Sequence, residues 1–122
     1  MPAPAGNDTS KKRHKVYEME TQANIVLYSI GVERPITPQE SLPEVPEIPR
    51  GSVVVIEGRA PVWRYGMALH RLHGSPAAAV AVYDPRLGAV IVASHHPDYR
   101  EGQVIDVQLP GHSQSAPESR GP

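Results

Sequence analysis

The sequence predicts a small α/β domain, a mixed sheet with one principal helix. Three observations carry that prediction. Val53-Val-Val-Ile56 is an unbroken β-branched run, the pattern of a strand covered on both faces. Residues 61–73 repeat apolar side chains at helical spacing between Pro61, which suits a first helical position, and Gly74, which suits the position just past a helix end. Ala77 to Tyr83 is a second uncharged run of small and β-branched residues, read as another buried strand. Strand, helix and strand in that order make a βαβ unit with parallel strands.

The remaining elements follow in chain order. Residues 1–14 are rich in Pro, Ala, Gly and polar side chains and read as a disordered tail, crossed at its end by the basic run Lys11-Lys-Arg-His-Lys15. That run is a solvated tail or an RNA-contacting arm. One domain is expected over 15–109. Val16 to Met19 alternates weakly, as an edge strand does, and Asn24 to Ile30 is a short apolar strand bounded by Gly31. Prolines at 35, 38, 43, 46 and 49 exclude a helix or central strand, so 35–49 is an extended surface connector pinned by Ile36, Leu42, Val45 and Ile48. On the helix, Val62, Tyr65, Leu69 and Leu72 form the inward arc, with Arg64, Ala68 and Arg71 opposite. Asp84-Pro-Arg-Leu-Gly88 is turn chemistry, because Pro85 fixes φ and Gly88 tolerates a positive one. Ala89 to Ala93 returns as the second strand of a hairpin. Gln103 to Gln108 alternates and closes the sheet, and residues 110–122 form a second loose tail.

Composition narrows the function. The 122 residues hold one small domain, and with no Phe its core falls to Val, Ile, Leu and Ala. A net charge of −1 gives no bulk attraction to nucleic acid or an anionic membrane, so any phosphate site is local. The absence of Cys excludes disulfides, thiolate metal sites and cysteine nucleophiles, which suits a reducing cytoplasm. No apolar run reaches the length of a membrane span, and the N-terminus lacks a signal-peptide core.

Five places carry candidate chemistry. Gly58-Arg-Ala-Pro61 follows a strand and opens a helix, which makes it either a plain turn or a one-phosphate site with Arg59 beside the helix N–H groups. His70 and His73 are neighbours on the helix. They read either as a cap on its C-terminal end or as a metal pair, the latter weak without the longer His-Glu-x-x-His pattern. Asp84 and Arg86 read either as a turn aspartate bonding its own backbone beside a solvated arginine or as a ligand site, the latter favoured because they interrupt two uncharged strands at the edge where open α/β sheets bind ligands. His95 and His96 end the return strand, as a surface turn or as a general acid or base. Trp63 and Tyr65 offer faces for stacking a base, or core packing. A hairpin holds His95 about 17 Å of strand from Asp84, so the two cooperate only through another subunit or a ligand spanning both ends.

Together these residues resemble a known family. Gly58-Arg-Ala-Pro-Val-Trp63, Ala68-Leu-His70, Val80-Ala-Val-Tyr-Asp-Pro-Arg-Leu-Gly-Ala-Val-Ile-Val-Ala-Ser-His95 and Arg100-Glu-Gly-Gln-Val-Ile-Asp106, with Arg34-Pro-Ile-Thr-Pro38 upstream, are similar to the third family of CRISPR ring nucleases of type III systems. The resemblance covers about residues 16–107. It implies a small CRISPR-associated Rossmann-like fold and a homodimer, two of which meet as a tetramer around cyclic tetra-adenylate. It also implies cleavage of that messenger, which ends the antiviral response. A manganese-dependent deadenylating action on RNA 3′ ends, or a module that binds without turnover, is the alternative. The key groups implied are Asp84, Arg86, His95 and a helix-end histidine, His73 with His70 as alternative. Gly58, Arg59, Pro61, Trp63 and Ser94 are the expected substrate contacts. Asp84 and His95 are the expected Mn²⁺ ligands. Two residues depart from the family pattern: Arg64 stands where an apolar residue is expected, and His96 where a small polar one is usual.

Overall fold

The computed structural model describes residues 24–110. The expectations for the 1–14 tail with its basic run, for the Val16–Met19 strand and for the tail beyond Pro110 lie outside the described residues. Five strands form one sheet: β1 (Ile25–Ser29), β2 (Val53–Glu57), β3 (Ala79–Asp84), β4 (Gly88–Ser94) and β5 (Val104–Ile105), in that spatial order. A single helix, α1 (Val62–Arg71), connects β2 to β3. β1, β2 and β3 are parallel, whereas β3–β4 and β4–β5 are antiparallel. This is the expected mixed α/β sheet with one helix. Among the described residues no helix is long and apolar enough to cross a membrane.

The continuous β-branched run does what its composition predicts. Val53, Val54, Val55 and Ile56 are all fully buried, alternating between two apolar layers. One layer holds Val54, Ile56 and Val80 under α1; the other holds Val53, Val55, Ala81 and Ile91 under Val107 and Leu109. Each such side chain contributes about 1.5–3 kcal/mol by leaving water. The proline-rich connector lies across the α1 face, with Leu42 buried and Val45 and Ile48 packed on the core. It is fastened there by the Tyr28 hydroxyl, which donates to the Pro43 carbonyl at 2.5 Å. β5 is shorter than the expected 103–108 strand, because Val107 and Leu109 leave the ladder to cover the second layer.

Three expectations for the helix are corrected. Pro61 is its N-cap, with extended backbone (φ −64°, ψ 154°), rather than its first residue, and the helix ends at Arg71, before His73. The inward arc is also wider than expected: Tyr65, Leu69 and Leu72 pack on the core as expected, but Val62 is 84% exposed and Arg64 and Ala68 are buried beside them. The reason is Arg64. Its Nε donates to the Ile30 carbonyl at 2.9 Å, so a cation closes the end of β1 and its aliphatic stem joins the core. Ala68, fully buried, lets the helix sit close to the sheet.

Two glycines fix the edge where the parallel strands end. Gly58 has φ 124°, and a Cβ there would lie 2.4 Å from the Gly31 nitrogen. The loops after β1 and β2 therefore touch backbone to backbone, and no side chain fits between them.

Candidate functional site

A trough of about 1160 Å³ runs between α1 and the β3–β4 hairpin. Its floor is Val82, Val90 and Val92, its wall Tyr65 and Leu69. Gly58, Arg59 and Asp84 stand at the end where the parallel strands finish. This is the edge at which open sheets take ligands. A smaller pocket of about 330 Å³ continues it at the opposite end of the helix, sharing Gly66 and Leu69. That pocket gathers His70, His73 and His95.

The histidine cluster depends on an irregularity in β4. Ala81 pairs with Ile91, but Val80 pairs with Ala93, so Val92 is an extra residue in the ladder. A bulge of this kind reverses the alternation of every following side chain. Ile91 packs in the far layer, yet Val92 and Ala93 both pack toward α1. Ser94 then faces away and His95 comes back to the helix side, where its backbone N–H donates to the Ala78 carbonyl at 2.8 Å. With regular alternation His95 would lie on the other face. Strand alternation alone gives no sign of this.

The Asp84 end is built locally. Asp84 Oδ1 accepts the Arg86 backbone N–H at 2.7 Å, and the Arg86 Nε lies 3.7 Å from the same oxygen, with its side chain 87% exposed. The bland turn reading is therefore present, and it leaves Asp84 Oδ2 without a hydrogen bond among the described residues. As expected, Asp84 and His95 occupy opposite ends of the hairpin: Asp84 pairs with Gly88, and Ser94 with Ala79.

The structure redistributes the expected substrate contacts. Gly58 and Arg59 line the trough. The Arg59 carbonyl accepts the Val32 N–H at 2.9 Å, while its guanidinium has no hydrogen-bond or ion-pair partner among the described residues. Pro61 lies in a separate groove with Val32 to Ile36. Trp63 is on the other flank of α1, against residues 38–42 of the connector, and so does not reach the trough. Ser94 is committed to the turn after β4: its hydroxyl lies 2.8 Å from the Tyr99 carbonyl and 3.0 Å from that of His96, and it accepts the His96 N–H. Tyr65, read from sequence as a stacking or core residue, is in the trough wall and donates its hydroxyl to the Gly58 carbonyl at 2.6 Å. Burial, and secondly the charge of Glu57, raise its pKa above the ordinary tyrosine value.

Asp84 and His95 cannot ligate one metal ion within a chain, being at opposite ends of the hairpin. Among the described residues no three His, Cys, Asp or Glu side chains gather as a metal site. The arrangement offers instead an apolar trough with Arg59, Glu57 and Asp84 at one end and, in the adjoining pocket, three imidazoles at the other. Such a site suits a flat-ringed, phosphate-bearing ligand and proton transfer.

Comparison with known proteins agrees on the region involved. Residues 29–106 match the family described as CRISPR-associated protein (Cas_csx3). Over 53 residues the chain is 47% identical to a protein of Aquifex aeolicus (strain VF5) described as uncharacterized. That match takes in 43% of this chain and 46% of the relative, so the chain spans about half the length of the curated relative it matches.

Proposed function

The chain belongs to the Cas_csx3 family of CRISPR-associated proteins, and from that premise we propose that it is a phosphodiesterase that binds cyclic tetra-adenylate and cuts it. The observation that carries this reading is that His70, His73 and His95 all line one pocket contiguous with the trough. Phosphate binding alone needs no such cluster. A pair of imidazoles is what an internal transfer of an RNA phosphodiester uses.

In the proposed reaction one imidazole accepts the proton of a ribose 2′-hydroxyl. The 2′-oxygen bonds to the adjacent phosphorus, the bond from phosphorus to the 5′-oxygen breaks, and a second imidazole protonates that oxygen. The product is a linear oligoadenylate with a 2′,3′-cyclic phosphate and a 5′-hydroxyl, and atoms and charge balance without a co-reactant. His95 and His73 take the two proton-transfer roles, with His70 beside them. Tyr65 and the valine floor receive an adenine, and Arg59 and Arg86 oppose phosphate charge. We route no step through manganese, because Asp84 alone does not make a site for it.

A symmetric assembly of copies accounts for the remaining separation. A ring of four equivalent phosphodiesters matches a homodimer or a tetramer that closes around it. In such an assembly the Asp84 end of one copy is free to approach the histidine end of another. The test is incubation of the purified protein with cyclic tetra-adenylate, followed by mass spectrometry. The expected product carries a terminal 2′,3′-cyclic phosphate, and its formation stops in His73→Ala and His95→Ala. A ring that stays intact, or is cut equally well by both variants, overturns the proposal.

A further inference from the structure

The turn bearing Arg59 is held more firmly than a strand-to-helix connection requires. Ile30 N–H donates to the Glu57 carbonyl and Val32 N–H to the Arg59 carbonyl, each at 2.9 Å. Gly31 and Gly58 are in backbone contact between those two bonds. The remaining carbonyl of the turn, that of Gly58, receives the Tyr65 hydroxyl at 2.6 Å. Three successive carbonyls, 57 to 59, are therefore all fixed, two by the loop after β1 and one by the helix. The guanidinium they carry has no partner among the described residues and borders both the trough and the neighbouring groove. A cation whose backbone origin is fixed and whose donors are unspent has only its side chain left to order when an anion binds.

We propose that Tyr65 is a positioning residue for phosphate recognition, acting through Arg59. Its hydroxyl ties the first turn of α1 to the Gly58 carbonyl and so fixes where the Arg59 side chain starts, while its ring stays in the trough wall. Gly58 itself cannot supply this rigidity, since its positive φ leaves a backbone with no Cβ to restrain it. The inference rests on the reading of the trough as the cyclic tetra-adenylate site and adds a specific job for a residue that reading used only as a surface.

The test is a double-mutant cycle on binding of cyclic tetra-adenylate, measured by calorimetry at 4 °C in a His95→Ala background to prevent turnover. Tyr65→Phe keeps the ring and removes the hydroxyl, and the expected loss of affinity is about threefold to tenfold. Arg59→Ala costs about tenfold or more. If Tyr65 acts through Arg59, the double variant binds within about twofold of Arg59→Ala alone. If the two losses multiply, Tyr65 contributes only packing or folding and the inference is overturned while the site reading stands. If Tyr65→Phe binds as tightly as the parent, the inference is likewise overturned. If the parent itself does not bind the ring, the reading of the trough falls and takes this inference with it. Should Arg59→Ala bind too weakly to measure, Arg59→Lys replaces it in the same cycle: losses that fail to multiply support the inference, and losses that multiply overturn it.

Discussion

The two ends of the trough are made in different ways. The Asp84 end is written in one short stretch: Asp84, Pro85, Arg86 and Gly88 form a turn whose bonds lie within a few residues. The histidine end draws His70 and His73 from the helix and its C-terminal turn and His95 from the end of β4, and it exists only because Val92 bulges out of the ladder. Turn chemistry is local and survives small changes elsewhere. A cluster assembled across elements is hostage to register. The chemistry is therefore predicted to be fragile where the site is assembled and tolerant where it is local.

The sharpest way to break that comparison is to shift the register after the bulge. Inserting one alanine between Ala93 and Ser94 adds a single step of alternation and should turn His95 to the other face. Cleavage is expected to fall as far as in His95→Ala, about 10²-fold or more, while far-ultraviolet circular dichroism still reports a folded sheet. Retained cleavage in a folded insertion variant contradicts the register argument. Next in size is Gly58→Ala. Its Cβ would sit 2.4 Å from the Gly31 nitrogen at a φ of 124°, and denaturant unfolding should show a loss of about 3 kcal/mol or more. Arg64→Met keeps the stem but leaves the Ile30 carbonyl without its donor, for an expected loss of about 1–3 kcal/mol in the same assay.

Gly66 sharpens the contrast from the other side. It lies mid-helix, a Cβ there meets nothing within 4 Å, and Gly66→Ala should stabilise by about 0.5–1 kcal/mol. The smallest effect concerns pH. The Tyr65 pKa is raised in the folded state, so the folded protein holds that proton more tightly than the unfolded chain does. The stabilisation is whole below the unfolded tyrosine pKa, about 10, and is lost as pH rises through the folded value. Stability should therefore fall with pH in the alkaline range, and the part of that fall due to Tyr65 should vanish in Tyr65→Phe. An unchanged alkaline profile in the variant assigns the fall to other groups.

Much of the fold was legible before the structure. Val53 to Ile56, Ala77 to Tyr83 and the residues between them specify a parallel pair and a crossover helix through composition and spacing alone. The distance between Asp84 and His95 also followed from strand geometry. Periodicity placed Tyr65, Leu69 and Leu72 inward but could not show that Arg64 joins them, because Arg64 counts as polar although its stem is apolar and its charged end meets a backbone carbonyl. Trp63 lies against residues 38–42 of the connector, a flank that helical spacing alone does not single out. Ser94 read as a ligand contact, yet its hydroxyl is consumed by the turn it begins. The convergence of three histidines required a bulge, and a bulge is settled by pairing between strands rather than by either strand's own pattern.

The measurement that bears most directly on the histidine end uses cyclic tetra-adenylate methylated at every 2′-oxygen. If the ring's own hydroxyl is the nucleophile, the protein binds this analogue and leaves it whole while cutting the parent ring to a 2′,3′-cyclic phosphate. Cleavage of the methylated ring at the parent's rate would show that some other nucleophile attacks, and the role assigned to the three imidazoles would not stand.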